Sequence, residues 1–206
     1  DGVMCPSFQA TREEQNATRG RANLLRAMIS SNYQLPITNT MTESVFTSLD
    51  LCLACKGCKA ECPSGVDMAK IKFAFMDEYY KSHPRQLRDY LFGYFHTVSA
   101  LLSPIAPLAN ALMGFDPTRK LIAKITGITT ERPFPKYSTQ RASVARVVNP
   151  RKRILFLSDA FTRYIEPQVE QAAFDVLSRL GVDVQVIPVV GAGASLLSKG
   201  FIDAAR

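Results

Sequence analysis

The sequence predicts an all-α domain followed by a partial α/β domain built on a parallel βαβ unit, and three observations carry that expectation. No strand-type alternation interrupts the first 115 residues, where apolar positions recur at helical spacing. Residues 153–190 read as strand, helix, strand, the order of a parallel βαβ unit. Between them, "ERPFPKYSTQRASVARVVNPRK" carries three prolines and mixed charge with no sustained period, as connecting segments do. The expected organisation is a helical module at 1–115, a linker at 116–152 and the start of an α/β domain, truncated, at 153–206.

In chain order, "TREE" at 11–14 has capping-box spacing, Thr11 with Glu14, and predicts the start of a short helix. "TRGRANLLRAMIS" predicts an amphipathic helix with Thr18 as N-cap, with Ala22, Leu25, Met28 and Ile29 on one face and basic residues opposite. "TMTE" at 40–43 repeats the capping box with Thr40 and Glu43, on a helix running toward Cys52. "VDMAKIKFAFMDEYYKSHP" predicts a helix capped by Asp67 and stopped ahead of Pro84.

Residues 90–115 contain no Asp, Glu, Lys or Arg, a length that could cross a bilayer. Pro104 and Pro107 divide the stretch, and Gly93, His96, Ser99, Ser103 and Asn110 dilute its apolarity, so two buried helical segments are expected, with peripheral membrane contact as the membrane alternative. In the α/β part, "RILFLSD" and "VDVQVIPVV" are the strands. The helix between them is expected to bury Val169, Ala172, Ala173, Val176, Leu177 and Leu180 and to end at Gly181 in a left-handed conformation. "GAGASL" lacks the third glycine of a dinucleotide loop and reads as a tight strand-to-helix turn. Two strands are too little sheet for independent stability, which is why the domain is expected to continue past Arg206.

With 47% apolar and 21% charged residues the composition is that of a globular chain. The net charge of +7 is scattered, its one tight run is "NPRKR" at 149–153, and no nucleic-acid motif accompanies it, so no nucleic-acid partner is expected. No signal-peptide pattern is present, so the expected location is cytoplasmic or peripheral at the inner membrane, with reduced thiols.

The chemistry lies in "CLACKGCKAECP". Cys52, Cys55, Cys58, Cys62 and Pro63 have the C-x2-C-x2-C-x3-C-P spacing of bacterial ferredoxins, in which three closely spaced thiolates reach three irons of a 4Fe-4S cubane. Gly57 is expected to let the backbone turn closely around the sulfurs, and Lys56 and Lys59 to raise the reduction potential. In two-cluster proteins the fourth cysteine of each run serves the other cluster. Cys5-Pro6 then reads as the end of an earlier run. Cys5 completes the cluster of Cys52, Cys55 and Cys58, and Cys62 belongs to a second cluster whose other ligands lie outside the sequence. Structural zinc favours two separated cysteine pairs, and thioredoxin chemistry places its C-x-x-C beside a βαβ unit; neither pattern is met. No catalytic residue is assigned: His83 and His96 are isolated, and Asp77 and Glu78 read as solvated helix charge.

"MCPSFQATREEQNATRGRANLLRAM" with "LDLCLACKGCKAECPSGVDMAKIKFAF" resembles the double-cluster helical ferredoxin module of FAD-linked 2-hydroxyacid dehydrogenases, the group that oxidises D-lactate, D-2-hydroxyglutarate and glycolate. Residues 153–206 are similar to the start of the cysteine-rich CCG domain that follows in that family. Many relatives carry a paired cysteine where this chain has Val189, Val190 and Gly191. The resemblance implies an all-α ferredoxin-type domain and an FAD-binding domain or subunit upstream that oxidises the 2-hydroxy acid. Electrons then leave through 4Fe-4S clusters to a quinone or soluble carrier. It also implies an alternative, a separate iron-sulfur subunit of the kind found in anaerobic glycerol-3-phosphate dehydrogenase or heterodisulfide reductase.

Overall fold

The computed structural model describes residues 5–34, 39–191 and 193–206, with side-chain surroundings at all of these except 31–34, 39, 40, 189 and 190. By its contacts the chain forms two compact units, residues 1–84 with 196–206, and residues 85–195. This division differs from the expected 1–115, 116–152 and 153–206. The helices of 85–114 group with the βαβ segment, and 116–126, expected as linker, is helical. Aspartate and proline at 116 and 117 open that helix, and Gly127 closes it at φ 73°.

The first unit is helical. It contains α1 (Pro6–Thr11), a 3-10 turn (Glu14–Asn16), α2 (Thr18–Gln34), α3 (Asn39–Asp50), α4 (Gly57–Glu61) and α5 (Met68–Ser82). Its core is Val45, Leu49, Met68 and Met76, against which Leu24, Leu25, Met28, Phe46 and Phe75 pack. Of the face expected on α2, Leu25 and Met28 reach this core, while Ala22 and Ile29 are exposed and Leu24 takes part instead. Asp67 caps α5 as expected, its side chain accepting from the Lys70 N–H at 3.2 Å. Thr11 does not start a helix. It ends α1, donating to the Ser7 carbonyl at 2.9 Å and accepting from Asn16 at 3.1 Å, and Glu14 begins the 3-10 turn. The side chain of Thr40 lies outside the described residues.

Gly20 makes this packing possible. A Cβ there would lie 1.9 Å from the Glu14 carbonyl oxygen, so only glycine lets the first turn of α2 press onto the 3-10 turn.

The second unit begins with α6 (Leu87–Gly93), α7 (Phe95–Leu102), a 3-10 turn (Ser103–Ile105), α8 (Ala106–Gly114) and α9 (Asp116–Thr126). The prolines do break the apolar stretch, but the expectation of buried helices is not met. Small residues, Ser99, Ser103, Ala106 and Ala109, face inward, while Leu101, Ile105, Leu108, Leu112 and Phe115 are exposed. Phe95–Gly114 is, by length and a mean hydropathy of 1.3, apolar enough to cross a membrane, and only 22% of it is buried. The irregular segment after α9 is tied down at several points, among them Ser143, which exchanges two bonds with Gln171 of the 167–179 helix. Asn110 holds Tyr137 by two bonds of 2.8 Å to its backbone, and Ser103 donates to the Ser138 carbonyl.

Strands β1 (Lys152–Ser158) and β2 (Val182–Val190) pair in parallel, Ile154 opposite Val184, with α10 (Ala160–Tyr164) and α11 (Pro167–Arg179) between them. Gly181 follows α11 at φ 73°, as expected. The buried side of α11 is Pro167, Glu170 and Phe174, whereas Val169, Val176 and Leu180 are exposed. This corrects the helix face expected from apolar spacing. Phe174 packs edge-on against Phe156 of β1, and Glu170 is drawn inward by Ser158, which donates to it, and by Arg163 at 3.7 Å. Two short helices, α12 (Ala194–Ser198) and α13 (Ile202–Ala205), end the chain.

Candidate iron-sulfur site

The C-terminal turn of α3 presents a row of backbone carbonyls, and the sequence spends polar side chains on them one after another. Ser48 accepts from Arg21 Nε at 2.9 Å. Leu49 accepts from the Cys52 N–H at 3.0 Å, and Leu51 from Ser7 Oγ at 2.6 Å. Asp50 and Cys52 accept from Lys72 Nζ at 3.4 and 2.6 Å. Cations suit the negative end of a helix, and four orphan carbonyls need partners there. These bonds join α1, α2 and α5 to residues 48–52, the stretch that leads into the cysteine run.

From Cys52 the chain turns back on itself twice. The left-handed residues are Ala54 at φ 54° and Lys56 at φ 61°, not Gly57, which instead starts α4. Each such non-glycine residue costs about 1–2 kcal/mol in isolation. The turns leave Cys52, Cys55 and Cys58 on one recess, which is also lined by Cys5, Ser7, Arg21 and Met68. Cys5, distant in sequence, is therefore brought to the loop, while Cys62 is not among the residues that line this recess. All five cysteines are free thiols.

Two of the sulfurs have surroundings that favour thiolate. Burial alone would raise the Cys5 thiol, but backbone N–H groups of Phe8 and Ser7 and the Arg21 guanidinium outweigh it and hold it below the ordinary thiol value. Cys62 is lowered by the backbone N–H groups of Val66, Ser64 and Gly65, in the turn after α4. Lys56 and Lys59, expected to act on a cluster, each lie 3.5 Å from Asp67, which spends part of their charge on that carboxylate. Burial opposes ionisation of Asp67, yet the Lys70 N–H and the two lysines hold its carboxyl below the usual range. His83 stacks on Tyr79 at 4.0 Å and takes no part in the recess.

The cation that sequence reasoning missed is Arg21. It is 1% exposed, its Nη1 lies 3.2 Å from Cys5 Sγ, and its Nη2 has no partner. A buried guanidinium cannot shed its charge, and leaving it uncompensated is costly. Four thiolates carrying a cluster are an anion of the right kind at the right place, so the residues present fit the group. Among the described residues no three of His, Cys, Asp and Glu are grouped as ligands of one metal ion.

The comparisons with known proteins bear on this recess. Residues 3–67 match the 4Fe-4S dicluster domain family. D-2-hydroxyglutarate dehydrogenase of Pseudomonas putida is 28% identical over 98% of this chain and 24% of its own length. One of the subunits of the anaerobic glycerol-3-phosphate dehydrogenase of Escherichia coli is 28% identical over 70% of this chain and 38% of its own length. The glycolate oxidase iron-sulfur subunit of Escherichia coli is 25% identical over 88% and 41%. The chain thus spans about a quarter of the length of the dehydrogenases it matches. No solved structure matches it. The chain is an iron-sulfur segment related to oxidoreductases of this kind.

Proposed function

We propose that this chain is the electron-transfer segment of an FAD-linked 2-hydroxyacid dehydrogenase. Cys5, Cys52, Cys55 and Cys58 hold one 4Fe-4S cluster. Cys62 serves a second, whose other ligands are not among these 206 residues. A bound cluster supplies one-electron transfer, and everything else is work of the chain: Ser7, Arg21 and Lys72 fix the start of the cysteine loop, and Ala54 and Lys56 turn it. The substrate site and the FAD belong to a domain or subunit upstream, and the acceptor is a quinone or soluble carrier. The observation that carries this reading is the meeting of Cys5 with the 52–58 loop in one recess.

Similarity to the 2-hydroxyglutarate dehydrogenase runs through both compact units, whereas similarity to the glycerol-3-phosphate dehydrogenase extends over only 70% of the chain. That difference favours the 2-hydroxyacid dehydrogenase over an iron-sulfur subunit of the glycerol-3-phosphate dehydrogenase type. The test is anaerobic mixing of the reconstituted chain with the isolated flavin domain of a 2-hydroxyacid dehydrogenase and, separately, with that of a glycerol-3-phosphate dehydrogenase. D-2-hydroxy acids are expected to bleach the cluster absorbance; reduction by glycerol 3-phosphate alone would assign the chain to the other class.

Peripheral contact with an anionic lipid surface is part of this proposal. Leu101, Ile105, Leu108, Leu112 and Phe115 recur at spacings of one helical face, all exposed, and α9 adds exposed Leu121 and Ile125 beside Lys120 and Lys124. Sedimentation with phosphatidylglycerol vesicles but not phosphatidylcholine vesicles is expected, and would be lost in Leu108→Asp. Failure to bind either would remove the membrane from the proposal.

A further inference from the structure

We propose that Arg21 sets the reduction potential of the cluster held by Cys5, Cys52, Cys55 and Cys58, by hydrogen-bonding to the Cys5 sulfur and by keeping a positive charge, shielded from water, against the recess. The inference rests on the ligand assignment made above. Capping alone does not account for Arg21. Its Nε satisfies the Ser48 carbonyl at 2.9 Å, while Nη1 is directed to Cys5 Sγ at 3.2 Å and Nη2 is left without a partner. No carboxylate lies within ion-pair distance of it among the described residues.

The lysines of the cysteine run make the contrast. Lys56 and Lys59 have about half of their side chains in water and share Asp67, so solvent and a carboxylate screen them. Lys72 is buried, but its ammonium is engaged by the carbonyls of Asp50 and Cys52. Arg21 alone of these is buried and bonded to a ligand sulfur. Reduction adds one electron and hence one negative charge, so a fixed cation and a hydrogen bond at sulfur both favour the reduced state.

The experiment is a potentiometric titration with dithionite, followed by electron paramagnetic resonance, on the anaerobically reconstituted 206-residue chain. Arg21→Gln is expected to shift the one-electron equilibrium against reduction by about tenfold or more, which is about 59 mV. Arg21→Lys is expected to recover more than half of that shift. A loaded Arg21→Gln protein with an unchanged potential overturns the role of Arg21 and leaves the ligand assignment standing. A loaded wild-type protein in which Cys5 alkylates freely overturns the assignment itself. Independently of any variant, wild-type chain labelled with 15N-arginine is expected to show spin-echo modulation from an arginine nitrogen in the reduced state. Its absence overturns the proposal.

Discussion

Ser7 Oγ donates to the Leu51 carbonyl at 2.6 Å, and this bond, spanning 44 residues of sequence, is what moors α1 and its leading cysteine to the loop that follows α3. Ser7 is buried at 7% exposed, whereas Leu51 is 43% exposed, so the bond is part-buried. Ser7→Ala removes this bond from a carbonyl that water can reach, a cost of about 0.5–1.5 kcal/mol. The expected result is a lower melting temperature and faster loss of iron to a chelator, with unchanged helix content by circular dichroism.

Gly20→Ala should be among the most damaging single substitutions in the chain. The added methyl would meet backbone, the Glu14 carbonyl at 1.9 Å and the Gln15 Cα at 2.7 Å, and backbone cannot swing aside as a side chain would. A loss at or beyond the upper end of the roughly 1–3 kcal/mol typical of overpacking is expected in chemical denaturation. Because Arg21 follows directly, iron loading should fall with it.

Ala54→Gly should stabilise the chain. Ala54 sits at φ 54°, a conformation glycine adopts freely, and relief of about 1 kcal/mol is expected. A gain in the denaturation midpoint before cluster loading checks this. If the gain is missing, the loop is not held in its left-handed turn.

Alkaline pH should weaken the first unit through Tyr79. Burial, and then the hydrogen bond its hydroxyl donates to Glu43 at 2.6 Å, push its pKa up to about 12 from the ordinary 10.0. The neutral phenol is favoured in the folded chain, so its contribution to stability is complete below pH 10 and is lost as pH rises toward 12. Tyr79 should titrate near pH 12 by ultraviolet absorbance, and Tyr79→Phe should abolish that step.

What could be read from sequence was local. The cysteine spacing, the Asp67 cap, the left-handed Gly181 and the two strands all depend on neighbours within a few positions, and each lies where the pattern put it. Residues whose meaning depends on packing were misread or missed. Arg21 looked like part of a solvated basic face because nothing in α2 tells that its fork reaches α3 and Cys5. Nothing in the neighbours of Gly20 tells that its α-carbon meets the backbone of the 3-10 turn. Glu170 interrupted an apolar pattern that pointed to Val169, Val176 and Leu180, yet its bonds to Ser158 and Arg163 turn that side of the helix inward. In 95–114 the signal was composition, which gives apolarity but not which face is covered, and the small residues are the buried ones.

The measurement that bears most directly on the account is iron analysis combined with thiol alkylation of the anaerobically reconstituted chain. One cluster of about four irons is expected, with Cys5, Cys52, Cys55 and Cys58 protected and Cys62 alone labelled. The same iron content with Cys5 labelled and Cys62 protected would mean that all four ligands come from the 52–62 run, and the crossed arrangement would have to be abandoned.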